Sequence, residues 1–186
     1  LDAACASSLF AVKLACDELI AGRADAMLAG GLSKPDSLYT QIGFTQLKAL
    51  SKSGKCSPFD AKADGLIVGE GCGLVLLKRL DDAVKAGDEI LAVIRAVGTS
   101  NDMDGTLLAP ASEGQVRAMR KAYQNAGLNP DEIDLIECHG AGTPLGDKTE
   151  LFSLSQMWQN INYKPGQCAL SSVKSILIPP LVFKLK

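Results

Sequence analysis

The sequence predicts an α/β protein, with helices covering a sheet. Three observations carry this reading. Short apolar runs closed by glycine alternate with segments of helical apolar spacing. The connections between most of them are short. No short-period repeat is present that would signal a solenoid.

Ser7 to Ala21 has Leu9, Val12, Cys16, Leu19 and Ile20 at helical spacing and a Lys13–Asp17 pair four apart, so it is expected to be a helix stopped by Gly22. Ala24 to Leu28 reads as a short buried strand closed by Gly30-Gly31. Residues 32–64 are rich in Ser, Lys, Gly and Asp and read as loops with short helical turns. Ser57-Pro58-Phe59-Asp60 is a turn signal. Leu66 to Lys78 is strand-like; its alternate glycines, Gly69, Gly71 and Gly73, would share one face and admit a close neighbour. Leu80 to Ala86 is expected to be a helix and Ile90 to Val97 a strand. Ser112 to Ala126 is the clearest helix, with Ser112 and Gln115 as a capping box, Val116, Met119 and Tyr123 in the apolar stripe and Gly127 as the stop. Ile133 to Glu137 reads as a buried strand running into His139, Asp147 to Trp158 as a helix, and Cys168 to Val173 as a strand.

Composition narrows the function. The chain has 186 residues, 47% apolar and 22% charged, enough for a sizeable core. Lys plus Arg number 19 and Asp plus Glu 21, giving a net charge of −2. No basic block occurs, so nucleic acid is not expected as a partner. The six cysteines form no Cys-x-x-Cys pair and suggest no disulfide framework; neither a zinc site nor any other metal is expected, and a reducing cytoplasm is the simplest compartment. No apolar run approaches the roughly 20 residues that span a bilayer, so no membrane is expected. The chain lacks an initiator Met and a signal peptide and opens on Leu1 as if at the end of a buried strand, so it reads as a piece of something larger.

Two residues carry candidate chemistry. Cys5, in Leu1-Asp2-Ala3-Ala4-Cys5-Ala6-Ser7-Ser8, directly precedes the first helix. Unpaired N–H groups and the positive helix end favour thiolate over thiol there, and thiolate is the nucleophile. A free cysteine taken alone is more often a small buried hydrophobe. The only histidine, His139, follows a strand and opens an irregular turn with Gly140, Gly142 and Pro144, at a strand end where α/β sites commonly sit. A nucleophile and a histidine suggest acyl transfer through a thioester. Asp147 and Glu150 have a structural explanation as a helix-start capping box, and Lys174 alone would be a solvated lysine. Gly69-x-Gly71-x-Gly73 fails the dinucleotide pattern. Asp102-x-Asp104 with Glu113 fails as a calcium loop, because Leu107 stands where glycine is needed and Thr106 replaces a ligand.

Five motifs in order resemble the β-ketoacyl synthases, the condensing enzymes of fatty-acid and polyketide synthesis. They are Asp2-Ala3-Ala4-Cys5-Ala6-Ser7-Ser8, Pro58-Phe59-Asp60-Ala61-x-Ala63-Asp64-Gly65, Gly69-Glu70-Gly71-x-Gly73, His139-Gly140-x-Gly142-Thr143-Pro144-Leu145-Gly146-Asp147, and Ser171-Ser172-Val173-Lys174-Ser175. The style is most similar to the ketosynthase of a polyketide or polyunsaturated-fatty-acid synthase.

The resemblance implies a thiolase-like layered fold, incomplete here. Residues 1–87 would close its first half, 88–177 would open the second, and 178–186 form an atypical tail. It implies Cys5 as nucleophile and His139 and Lys174 as catalytic partners, with Asp147 and Glu150 organising the lysine and the site loops. Thr143 would help hold a pantetheine arm, and Ala141 replaces a second threonine there. It implies no directly bound cofactor: substrates would arrive on the phosphopantetheine of an acyl carrier protein, and the parent would be a homodimer. The reaction would be acyl transfer to Cys5, then decarboxylative Claisen condensation with a malonyl-type extender. The family's second histidine would fall where Ile178 and Pro179 stand, so the isolated chain is expected not to condense substrates. Two other classes stay open: a non-catalytic ketosynthase-like partner or scaffold, which often lacks the cysteine, and a non-decarboxylating thiolase-fold enzyme, which the Gly-x-Gly-Thr run and Lys174 argue against.

Overall fold

The computed structural model describes residues 1–34, 37–104, 109–159, 161 and 164–176. Thr106, Leu107, the positions of the second histidine and the tail lie outside the described residues. The chain divides into two units, one of residues 1–34 and 70–97, the other of 35–69 and 98–186.

In the first unit, helix α1 (Ser7–Ile20) packs on strand β1 (Met27–Ser33), which pairs antiparallel with β2 (Gly71–Leu77). The expected Lys13–Asp17 pair forms, with Lys13 Nζ donating to Asp17 Oδ1 at 2.7 Å. Gly22 ends the helix as expected, at φ 69. Arg79 holds the C-terminal end of α1: its Nη1 donates to Leu19 O at 2.9 Å and Ala24 O at 2.7 Å. Ala15 and Leu19 form the buried face of α1, whereas Leu9 and Ile20 of the expected stripe are exposed. The helix is apolar on more than one side, so spacing alone does not choose the face that meets β1.

Three strand expectations need correction. β1 does not stop before Gly30-Gly31 but runs through them, and Leu28 is 64% exposed. A Cβ on Gly30 would lie 2.0 Å from Gly73 O, so the close approach belongs to Gly30. Gly69, Gly71 and Gly73 have nothing within 4 Å of an added Cβ, and β2 starts only at Gly71. Ile90 to Val97 forms no strand: no ladder among the described residues pairs with it, and Leu91 is 88% exposed. Helix α3 (Leu80–Ala86) is as expected, ended by left-handed Gly87.

The second unit contains α2 (Ser37–Gln46), a helix of 10 residues where loops with short helical turns were expected. Gly43 and three Ser or Thr residues give it poor propensity, and its stop is left-handed Lys48 rather than glycine, so both signals were missing. Helix α4 (Ser112–Ala126) has the expected bounds, and Gly127 closes it. Its capping box does not form: Ala111 is the N-cap, Ser112 is already helical, and Gln115 Oε1 is buried with no hydrogen bond among the described residues. Short parallel strands β3 (Leu135–Glu137) and β4 (Ala169–Ser171) run side by side; the expected buried strand from Ile133 to Glu137 also needs correction, since β3 starts at Leu135 and is largely exposed. Helix α5 (Pro144–Met157) packs on α4, and buried Ser153 donates to Thr149 O at 2.8 Å. Among the described residues, no helix is long and apolar enough to cross a membrane.

Candidate functional site

Cys5 lies in a single 3-10 turn, Ala4–Ala6, that feeds α1. Ala4 sits at φ 49, in the left-handed region that costs an L-residue roughly 1–2 kcal/mol. Local hydrogen bonds hold it there. Ala4 N–H donates to Asp2 Oδ1 at 2.9 Å, Ala3 N–H donates to Ser7 Oγ at 2.9 Å, and Ser7 Oγ donates to Ala4 O at 2.7 Å. The thiol beyond this sharp turn is exposed. Asp2 and Ser7 of the motif therefore build the turn. Strain at an alanine leaves no mark in a sequence and shows only in the fold.

The other candidates belong to the second unit. β3 ends at Glu137, and the turn beyond it leads to α5, with Thr143 as N-cap and Pro144 as first residue. Asp147 and Glu150 are not a capping box: the helix begins three residues before Asp147, and both carboxylates face the turn instead. Glu150 accepts from His139 N–H at 2.6 Å and Gly140 N–H at 2.8 Å. Asp147, only 5% exposed, accepts from Gly142 N–H at 3.2 Å and from Phe59 N–H at 2.8 Å. Each satisfies two backbone donors with charge-assisted bonds.

β4 stitches the same turn from its other side. Cys138 N–H donates to Ser171 O at 2.7 Å, and Ser172 Oγ donates to Gly140 O at 2.7 Å. Lys174, in the 3-10 turn Val173–Ser175, donates from Nζ to His139 O at 2.5 Å. Glu137 accepts from Val173 N–H at 2.7 Å and so anchors the turn that bears the lysine. Among the described residues Lys174 forms no ion pair with Asp147 or Glu150; Lys174 and Glu150 meet through the backbone of His139, whereas Asp147 bonds Gly142 and Phe59.

The backbone of His139 is thus held on both sides, while its ring is exposed and makes no hydrogen bond among the described residues. Partial desolvation disfavours the charged imidazole and lowers its pKa, and the Lys174 ammonium adds to that effect. Glu150 and Asp147 act in the opposite sense. Burial pushes the neighbouring Cys138 thiol up to about 11, so it stays protonated at neutral pH. Burial likewise raises the Cys56 thiol, which donates to Ala141 O at 3.6 Å. Ala141 is itself buried, and Thr143 is half-buried beside Gly146, whose missing side chain leaves room for Thr143 Oγ1. Glu137, Ser172 and Phe59 escaped the sequence reading as site-building residues. Glu137 stands two residues before His139, but nothing in that spacing says its carboxylate crosses to the segment after β4.

The pattern of the β-ketoacyl synthase N-terminal domain matches residues 1–83, and that of the C-terminal domain matches residues 91–177. The chain belongs to the β-ketoacyl synthase family. This β-ketoacyl synthase chain is 42% identical, over 178 residues, to a mycocerosic acid synthase-like polyketide synthase of Mycolicibacterium smegmatis, covering 94% of the chain and 8% of that protein. It is also 42% identical to a phenolphthiocerol/phthiocerol polyketide synthase of Mycobacterium tuberculosis, covering 94% of the chain and 10% of the relative. Among solved structures it is similar to the PfaC ketosynthase–chain length factor, with TM-score 0.90 and 45% identity over 95% of this chain and 19% of that one. A ketosynthase from module 6 of the bacillaene synthase of Bacillus subtilis 168 gives TM-score 0.88 and 36% identity over 93% of this chain and 32% of that one. A type II polyketide synthase ketosynthase in complex with its acyl-carrier protein gives 0.85 and 27%, over 93% and 43%. The β-ketoacyl synthase chain therefore has the thiolase-like α/β fold of these ketosynthases, in part, and spans about a tenth of the curated relatives it matches.

Proposed function

We propose that the protein to which this chain belongs is a decarboxylative condensing enzyme acting on carrier-bound acyl groups, with Cys5 as its nucleophile. The Cys5 thiolate attacks the carbonyl of an acyl thioester, an S–acyl bond forms, and the carrier thiol leaves. A malonyl-type extender then loses carbon dioxide. The resulting carbanion attacks the acyl-cysteine carbonyl, a C–C bond forms, and the Cys5 thiolate leaves. Negative charge gathers on the extender's thioester oxygen during decarboxylation, and a fixed N–H donor from His139 stabilises it.

One observation carries this reading: an exposed imidazole, free of structural hydrogen bonds among the described residues, stands on a backbone locked by Glu150 and Lys174. Lys174 holds that backbone and adds positive charge where the oxyanion forms. Thr143 contacts the pantetheine arm of the substrate.

The substrates are carried on the phosphopantetheine of an acyl carrier protein, and the parent is a homodimer working in the cytoplasm. The carrier seen with a related ketosynthase supports the first point, and six free cysteines fit a reducing compartment. The test is carbon dioxide release from malonyl-carrier by the chain extended with its native flanking sequence. Wild type should turn over, and His139→Ala should lose about 100- to 1000-fold in rate. Undiminished turnover in His139→Ala would refute the role given to the ring.

A further inference from the structure

Phe59 has φ 60, a region that bulky residues avoid. Glycine would adopt the same backbone at no steric cost, yet the sequence places a phenyl there. The strain is therefore paired with something the ring does.

Around it, the loop of residues 56–65 touches three successive residues of the histidine turn. The Phe59 ring comes first: its Cε2 lies 3.0 Å from where a Cβ on Gly140 would sit. Cys56 donates to Ala141 O at 3.6 Å. Gly65 N–H donates to Gly142 O at 2.9 Å. Asp147 ties both segments together, accepting from Phe59 N–H and from Gly142 N–H. The ring is only half-buried, so filling a core does not account for it.

We infer that Phe59 is a positioning residue for His139, acting through Gly140. The ring is a backstop behind Gly140, Asp147 holds the strained backbone that brings it there, and the adjacent His139 inherits the fixed geometry. This inference rests on the catalytic reading of His139. The charged groups that face the imidazole are Lys174, Glu150 and Asp147, and none of them is altered by changing Phe59.

The experiment compares Phe59→Ala, Phe59→Gly and Phe59→Tyr in the chain extended by its native flanking sequence. It measures condensation kinetics and the NMR titration of His139, assigned with His139→Asn. Phe59→Ala should lower kcat about 10- to 100-fold with KM within about threefold, and should move the His139 midpoint up toward its ordinary value. Phe59→Tyr, which keeps the ring, should stay within about threefold of wild type in kcat. Phe59→Gly relieves the strain and so remains folded if Phe59→Ala does not, but should show the same kinetic loss and the same titration shift. A folded Phe59→Gly variant with wild-type kcat and an unmoved His139 titration would overturn the inference. Absence of condensation in the wild type would instead sink the proposed function, and the titration would still decide whether the ring positions His139.

Discussion

The carboxylate of Glu150 grips the backbone of His139: its Oε1 accepts the histidine N–H at 2.6 Å, while Oε2 takes the next N–H, from Gly140, at 2.8 Å. A helix side chain thereby fixes a turn that precedes its own helix in the chain. Glutamine in place of Glu150 offers one acceptor oxygen and turns an NH2 group toward the other donor. Glu150→Gln should cost about 1–3 kcal/mol of stability, because it leaves one N–H facing another donor. Denaturant unfolding measures this directly, and an unchanged midpoint would mean that solvent replaces the lost bond.

The depressed pKa of His139 makes stability depend on pH. The folded form resists protonation, whereas an unfolded chain takes up a proton near the ordinary value of 6.5. From 6.5 down to the lower folded value the unfolded state binds more protons, so stability falls as pH falls. Above that window both states are neutral and the effect vanishes. His139→Gln should flatten the pH dependence of the unfolding midpoint in this acidic window. An identical slope in the variant would show that other groups produce it.

Gly142 is one point where the 56–65 loop comes close to the histidine turn. It sits at φ 76, and an added Cβ would lie 2.9 Å from Gly65 O. Gly142→Ala should lose about 2–4 kcal/mol through backbone strain and overpacking together. Gly73→Ala serves as the contrast: nothing lies near its Cβ position, and the change should stay within about 0.5 kcal/mol. Thermal unfolding of both variants checks the pair, and similar losses would contradict the assigned packing.

Much of this was legible in the residues. Periodicity with a glycine stop gave α1 and the bounds of α4, because each signal is local. The motif order gave the family. The sequence could not reveal α2, whose weak formers and lysine stop hide a helix, nor the direction of Asp147 and Glu150. Their spacing is that of a capping box, and only the tertiary path of the turn sends both carboxylates to backbone N–H groups. Ile90 to Val97 has strand composition, but a strand needs a partner, and composition cannot supply one. The strain at Ala4 and Phe59 is equally silent, since neither residue announces a positive φ.

The most direct measurement concerns Cys5, exposed behind the strained Ala4. The chain, extended by its native flanking sequence, is incubated with an acyl-carrier thioester, and the acyl adduct is mapped by mass spectrometry. The expected result is one adduct on the Cys5 sulfur that disappears in Cys5→Ala. An adduct formed at full yield in Cys5→Ala would contradict the assignment of Cys5 as the nucleophile.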